Sequence, residues 1–357
     1  MHSTSYTLLG VMSGTSLDGV DLAYVRFEKE ESWSYELLDC ETIEYEDDWV
    51  MRLRDAVDLS AEALKLLDVD YTAYLAKTIN IFRRRNPLKI DAIASHGHTI
   101  LHRPDQGITY QIGNRPELAK ICETLVVCDF RVEDVALGGQ GAPLVPIGDQ
   151  LLFGDFAACL NIGGFANISF EQNDKRIAYD ICPTNIVLNH LTRALGFDFD
   201  KDGAIAASGT VDDLLLKQLN ELAFYNESFP KSLGLEWVKR EIFPILNQAE
   251  TTIENKIVTF TEHIAIQLAA NINLLASDYG ENRVLVTGGG AYNKHLIKRT
   301  QHWSPITLEI PDAKTIEFKE ALIFAFMGVL RLRNSINVLN SVTGASKNHC
   351  AGILYSP

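Results

Sequence analysis

The chain has 357 residues, 46% hydrophobic and 22% charged, which is enough apolar material for a large core and excludes collagenous, low-complexity and disordered classes. At a prior of roughly 150 residues per domain, the length predicts two domains. Its 32 Lys and Arg against 47 Asp and Glu leave a net charge of -15, so neither nucleic acid nor an anionic membrane is an expected partner.

Residues 6–10 read as a short apolar strand, 11–19 as a turn rich in Gly, Ser and Thr, and 20–27 as an alternating strand. The same unit recurs as a strand over 157–162, the pair Gly163-Gly164 and a strand over 165–170, followed by a strand over 176–179. Two such openings predict a duplicated architecture. A helix is predicted over 61–85, where Leu64, Leu67, Tyr71, Tyr74, Leu75 and Ile79 recur at helical spacing, and another over 186–195. Residues 201–209 read as a loop entering a further helix, and 262–276 as a helix leading into a strand over 283–286. The turn Gly288-Gly289-Gly290 and a last long helix over 320–333 complete the series, and strands alternating with helices predict an α/β fold. The longest apolar stretch, 321–330, is short of the roughly 20 residues that span a bilayer. The N-terminus has no basic segment followed by an apolar one, so a reducing cytoplasm is expected. The six cysteines form no Cys-x-x-Cys pair and read mostly as buried thiols.

Several chemistries are excluded by spacing. No Gly-x-x-x-x-Gly-Lys-Ser/Thr occurs, and neither Gly139-Gln140-Gly141 nor the triple glycine completes a Gly-x-Gly-x-x-Gly. Asp198, Asp200 and Asp202 begin a calcium loop whose twelfth position is Gly209 instead of Glu. Ser228-x-x-Lys231 lacks the companion motifs of an acyl-enzyme. His96, His98 and His102 have no carboxylate or thiol at zinc-ligand spacing, which leaves loop histidines bonded to backbone or histidines that hold a substrate.

Ser13 to Asp21 is denser in glycine and hydroxyls than a hairpin requires. Its N–H groups and hydroxyls suit phosphate oxygens, with Asp18 or Asp21 holding Mg2+ through water; an ordinary polar turn is the alternative. Three glycine turns at strand ends, one per structural unit, fit a bound nucleotide better than any one turn alone. Asp180 lies between a predicted strand and a helix beginning near Pro183. It reads either as a general base kept ionised by the helix N-terminus or as that helix's cap. Arg131, Asp134 and the run 138–143 read as a ligand-carrying loop with too many turn residues to be core.

Residues 10–21, Gly-Val-Met-Ser-Gly-Thr-Ser-Leu-Asp-Gly-Val-Asp, resemble the signature of the anhydro-N-acetylmuramic acid kinases. The likeness continues in order through 95–99, 109–113, 129–131, 138–143, 161–167, 230–232, 286–291 and 342–345. It implies an actin- and hexokinase-like, ribonuclease H-like α/β fold around an ATP cleft, with residues 1–145 and 335–357 as one domain and 146–334 as the other. It implies that ATP and water convert 1,6-anhydro-N-acetylmuramic acid to N-acetylmuramic acid 6-phosphate in peptidoglycan recycling, with Asp180 as the base that activates the water. The resemblance assigns ATP to Gly14, Thr15, Ser16, Leu17, Asp18, Gly19, Val20 and Asp21, to Gly163 and Gly164, and to Gly288, Gly289 and Gly290. Mg2+ falls to Asp18, the sugar to Ser13, His96, Arg131, Asn185 and Glu320, and the family suggests a homodimer. Where the family usually reads Asp-Thr-Gly-Pro-Gly-Asn, this chain has Asp180-Ile-Cys-Pro-Thr-Asn185. A side chain at Cys182 or Thr184 would crowd the sugar or a phosphate wherever the backbone there has to approach the ligand closely. A nucleotide-dependent binding protein and a kinase of another amino sugar are the alternatives on the same fold.

Overall fold

The computed structural model describes residues 4–275 and 283–357. They fall into two compact units, Met1–Leu152 with Phe318–Pro357, and Phe153–Glu317. In the first, β1 (Ser5–Ser13) pairs antiparallel with β2 (Gly19–Lys29), and β2 with β3 (Trp33–Glu44). Helix α1 (Ala61–Arg85) follows, with Ser60 accepting from Ala63 N as its cap. Its predicted stripe is buried apart from the half-buried Tyr74, and Phe82 extends it. Next come β4 (Ala92–Arg103), parallel to β1; β5 (Ile108–Ile112), antiparallel to β4; and β6 (Val126–Cys128), parallel to β4. Two short helices, α2 (Val132–Ala136) and α3 (Pro146–Leu152), close this stretch.

The second unit opens with an antiparallel meander of β7 (Ala158–Ile162), β8 (Phe165–Gln172) and β9 (Lys175–Pro183), then α4 (Asn185–Arg193). Helix α5 (Ile253–Asn273) covers the core that contains Leu160, Ile168 and Val286; the last residue of its predicted span, 276, lies outside the described residues. Strand β10 (Arg283–Thr287) lies parallel to β7, and after α6 (Lys294–Trp303), β11 (Thr307–Glu309) lies parallel to β10. Helix α7 (Ala313–Leu332) crosses into the first unit at Phe318, where β12 (Ile353–Tyr355) pairs antiparallel with β6.

The sheets run β12-β6-β4-β1-β2-β3 and β11-β10-β7-β8-β9. Each contains a three-stranded antiparallel meander whose first strand carries two parallel strands on its other side, and the first sheet adds β5 on β4 and β12 on β6, both antiparallel. This repeated ribonuclease H-like order is the duplication implied by the two glycine turns. Strand β1 is central, so Leu8, Leu9 and Val11 are buried on both of its faces. Glycines set how closely α7 approaches: a Cβ on Gly10 would run into the Ala321 carbonyl, and one on Gly328 would lie 2.7 Å from Ala94 Cβ.

Three expectations change. Strand β1 continues to Ser13, leaving a turn of only 14–18. Strand β3 was not foreseen, because as an edge strand it has no fully buried position and no clear apolar face. Residues 146–152 and the body of α7 pack with the first unit instead of the second. The reasons are the seating of Gly148 against Ile323 and a buried ion pair of 2.8 Å between Lys319 and Asp149. None of the six cysteines is in a disulfide; Cys40 and Cys350 are half-buried and the other four buried, in line with mostly buried thiols. Among the described residues, no helix is long and apolar enough to cross a membrane.

Candidate active site

The first turn exposes Thr15, Ser16 and Asp18, and Ser16 Oγ donates to Asp18 Oδ1 at 2.7 Å. Leu17 holds φ +62, strained for a non-glycine residue and offset by packing of its side chain on the α1 core. Gly19 is needed for packing: its Cβ would stand 2.5 Å from the Ile43 carbonyl oxygen on β3. Val20 is fully buried and offers only backbone, while Asp21 accepts from Thr42 Oγ1 at 2.6 Å and ties β2 to β3.

Behind this turn the histidines lie on β4, not in a loop. Val11 pairs with Ser95 but Ser13 with His98, so β4 carries an extra residue, and Gly97 sits there at φ +74. On a regular strand His96 and His98 would share a face; the bulge turns them to opposite sides. His98 Nδ1 lies 2.8 Å from Ser13 Oγ, which lies 2.6 Å from Tyr45 OH, itself 2.6 Å from Tyr71 OH. Burial lowers the His98 pKa to about 4, so the ring is neutral, and burial raises the Tyr71 phenol to about 12. His96 packs on Phe324 of α7, places Nδ1 2.9 Å from the Gly97 carbonyl and accepts Arg131 Nε–H at 2.9 Å. Burial and the Arg131 charge hold it well below its ordinary pKa. Ser13 and His96, expected to touch sugar, are thus nearly fully buried with their polar atoms engaged.

Arg131 also donates to the Gly141 carbonyl at 2.6 Å; burial lowers its pKa to about 10, so it remains charged at neutral pH. Its loop is not as exposed as its turn residues suggest. Asp134 is fully buried, accepting from Gly141 N at 2.7 Å and from Thr343 Oγ1 at 2.7 Å, which explains why 138–143 and 342–345 both carry marked motifs. Glu320 is exposed, and desolvation raises its pKa, with Arg131 and Lys319 pulling the other way.

In the second unit, Asp180 lies within β9, so it is neither at the helix start nor its cap; Thr184 precedes α4. Its Oδ2 accepts Leu233 N–H at 2.8 Å and Ser232 Oγ–H at 3.2 Å. The group is half-buried, and burial raises its pKa while those two donors pull it back. Among the described residues both bonds to the carboxylate go to Oδ2. Ser232 and Leu233 were missed as partners of Asp180: the motif at 230–232 was visible, but nothing in the sequence joins residues 52 positions apart. The Lys231 carbonyl accepts the Asp180 N–H at 3.1 Å, while its ammonium donates to the Phe224 carbonyl at 3.1 Å and sits over that ring.

Cys182 and Thr184 do not crowd an open site. Cys182 is fully buried in the core, and Thr184, also fully buried, donates Oγ1–H to the Gly163 carbonyl at 2.7 Å. A Cβ on Gly163 or Gly164 would make only ordinary contacts, with no neighbour closer than 3.5 Å. Two glycines of the triple turn serve packing, since Cβ atoms on Gly288 and Gly290 would strike Asn161 and Ile162. Gly289 instead faces a pocket of ≈ 300 Å³ that also takes in Asn185, Leu188, Phe199, Asp200, Tyr292 and Asn293. Asn185 therefore lies with the third glycine turn. Asp200, once weighed for calcium, caps a short helix by accepting from Ile205 N and Ala206 N. A wider, more open recess of ≈ 510 Å³ along α6 is lined by none of the sequence-predicted residues.

A family profile described as anhydro-N-acetylmuramic acid kinase matches residues 6–357. Relatives carrying that name include one from Pseudomonas syringae pv. syringae (strain B728a), 34% identical over 97% of this chain and 98% of its own. Another, from Hydrogenovibrio crunogenus, is 32% identical over 98% of each chain. Solved structures with similarity include the activator of the 2-hydroxyisocaproyl-CoA dehydratase from Clostridium difficile with bound ADPNP, at 13% identity and TM-score 0.43 over 92% of this chain and 97% of that one. A ROK family glucokinase from Streptomyces griseus in complex with glucose and AMPPNP gives 13% identity and TM-score 0.39 over 90% and 98%.

Proposed function

The chain belongs to the anhydro-N-acetylmuramic acid kinase family, and from that premise we infer that it uses ATP and water to convert 1,6-anhydro-N-acetylmuramic acid to N-acetylmuramic acid 6-phosphate in peptidoglycan recycling. The observation that carries the chemistry is the Asp180 carboxylate, with one oxygen held by two donors and burial raising its basicity. Asp180 Oδ1 takes a proton from the water that attacks the anomeric carbon. The bond from that carbon to the 6-oxygen breaks, and the freed oxygen attacks the γ-phosphorus of ATP as the bond to the bridging oxygen breaks and ADP leaves.

Arg131 and the accessible Glu320 hold the sugar, and His96 and Ser13 stand behind them as supports. The exposed first turn and the Gly163-Gly164 turn take the phosphates, while the pocket beside Gly289, with Asn185 on its wall, takes the nucleoside. Asp18 is an exposed carboxylate whose Oδ1 is bonded by Ser16, and no group of three His, Cys, Asp or Glu among the described residues is placed to cage a metal. That donor set fits an ion such as Mg2+, which keeps waters and phosphate oxygens in its shell and neutralises phosphate charge when bound. The same reading places the enzyme in the cytoplasm as a homodimer.

The features that favoured a binding protein without chemistry were Cys182 and Thr184, and both side chains face inward. Incubation with ATP, Mg2+ and the anhydro sugar, read by mass spectrometry, is expected to give the 6-phosphate of N-acetylmuramic acid. Bound ATP with no phosphorylated sugar would contradict the reading, as would faster phosphorylation of an ordinary hexosamine.

A further inference from the structure

The N-terminus of α4 is used in an unusual way. Thr184 occupies the N-cap position, where a hydroxyl ordinarily accepts from an N–H of its own helix, yet it makes no such bond. It donates instead to the Gly163 carbonyl at 2.7 Å. The first amides of the helix also turn to the glycine pair: Asn185 N–H to the Gly163 carbonyl at 3.3 Å, and Thr184 N–H and Ile186 N–H to the Gly164 carbonyl at 2.9 and 3.2 Å. Amides that could have met an anion directly are thereby spent on the turn.

A trans peptide is planar, with its C=O and N–H on opposite edges. Holding the Gly163 carbonyl against α4 therefore directs the N–H of Gly164 away from the helix. Gly164 is exposed, and a Cβ placed on it would meet nothing nearer than Ile186 Cβ at 3.9 Å, so the turn leaves room beside that peptide for an anion. The shortest bond fixing this peptide comes from Thr184, whose side chain is fully buried and held in one place.

We propose that Thr184 is a positioning residue for nucleotide phosphate, fixing the Gly163–Gly164 peptide so that the Gly164 N–H is presented to a phosphate oxygen. The proposal rests on the assignment of ATP to this turn and concerns binding, not the identity of the sugar. It predicts that Thr184→Val, which keeps the volume and loses the hydroxyl, weakens ADP and a non-hydrolysable ATP analogue roughly 3- to 10-fold by calorimetry. Thr184→Ser is expected to bind within about twofold of the wild type, and KM for the sugar to stay unchanged in both variants.

Hydrogen exchange on the unaltered protein gives an independent reading, in which the peptide containing the Gly164 amide becomes protected when ADP is added. Wild-type nucleotide affinity in a folded Thr184→Val, or a Thr184→Ser no better than the valine variant, would overturn the role of the hydroxyl. Should the valine variant not fold, an unprotected Gly164 amide with ADP bound would overturn the proposal by itself. A protein that binds nucleotide as described but phosphorylates no anhydro sugar would refute the proposed reaction and leave this inference standing.

Discussion

At the turn after β1 the available polar groups are side chains, with Thr15, Ser16 and Asp18 exposed and a serine–carboxylate bond of 2.7 Å inside the turn. At the turn after β7 they are backbone: Gly163 and Gly164 carry no side chains, and four donors from Thr184, Asn185 and Ile186 hold their carbonyls. Each follows the first strand of a meander with the same strand order, so the frame alone does not decide what a turn can bind. The first turn suits a cation and hydroxyl contacts, the second an anion met by an oriented amide. Behind the first lies a neutral hydroxyl–imidazole chain, and in the meander of the second lies the half-buried Asp180 carboxylate, one oxygen of which is held by two donors.

The largest expected effect tests that last contrast. Asp180→Asn should lower kcat by about 10²–10⁴-fold, the usual span of general-base catalysis, with ATP affinity unchanged, as steady-state kinetics and calorimetry would show. Turnover near that of the wild type would remove the second unit's claim to the chemistry.

Acid should reveal the support behind the first turn. The native His98 pKa of about 4 lies below the ordinary value of 6.5, so its contribution is complete above 6.5 and is lost as pH falls toward 4. About 3 kcal/mol is at stake over that window. Urea melts from about pH 7 to about pH 4.5 should show a drop that His98→Gln reduces, and equal drops in both proteins would contradict it. The glycines differ as well. Gly19→Val should cost about 1–3 kcal/mol because the β3 backbone is in the way, whereas Gly164→Ala should leave the melting temperature almost unchanged. The smallest effect is expected at Ser232→Ala: removing a donor that lowers the Asp180 pKa should move the acid limb of the kcat/KM profile to higher pH.

Helix α1 and both glycine turns were legible because their signals are local: an apolar stripe at helical spacing, and glycine between two strands. Strand β3 was not, since an edge strand of half-exposed residues has no apolar face to display. The bulge at Gly97 was hidden for a different reason, because adjacent histidines read as a loop or metal pattern until β1 fixes their register. The partners of Asp180 come from 52 and 53 residues away, and the meeting of Asp134 with Thr343 spans 209; such pairs are set by topology. Asp180 was legible as a candidate base, but its carboxylate is held by Ser232 and Leu233 and not by the start of the following helix.

The most direct test of Asp180 as the water-activating base is turnover in water enriched in heavy oxygen, with ATP, Mg2+ and 1,6-anhydro-N-acetylmuramic acid, and mass spectrometry of the product. Label at the anomeric hydroxyl of the 6-phosphate, formed by the native enzyme and not by Asp180→Asn, is the predicted result. A phosphorylated product with no label at that carbon would contradict it, since the ring would then have opened without attack by water.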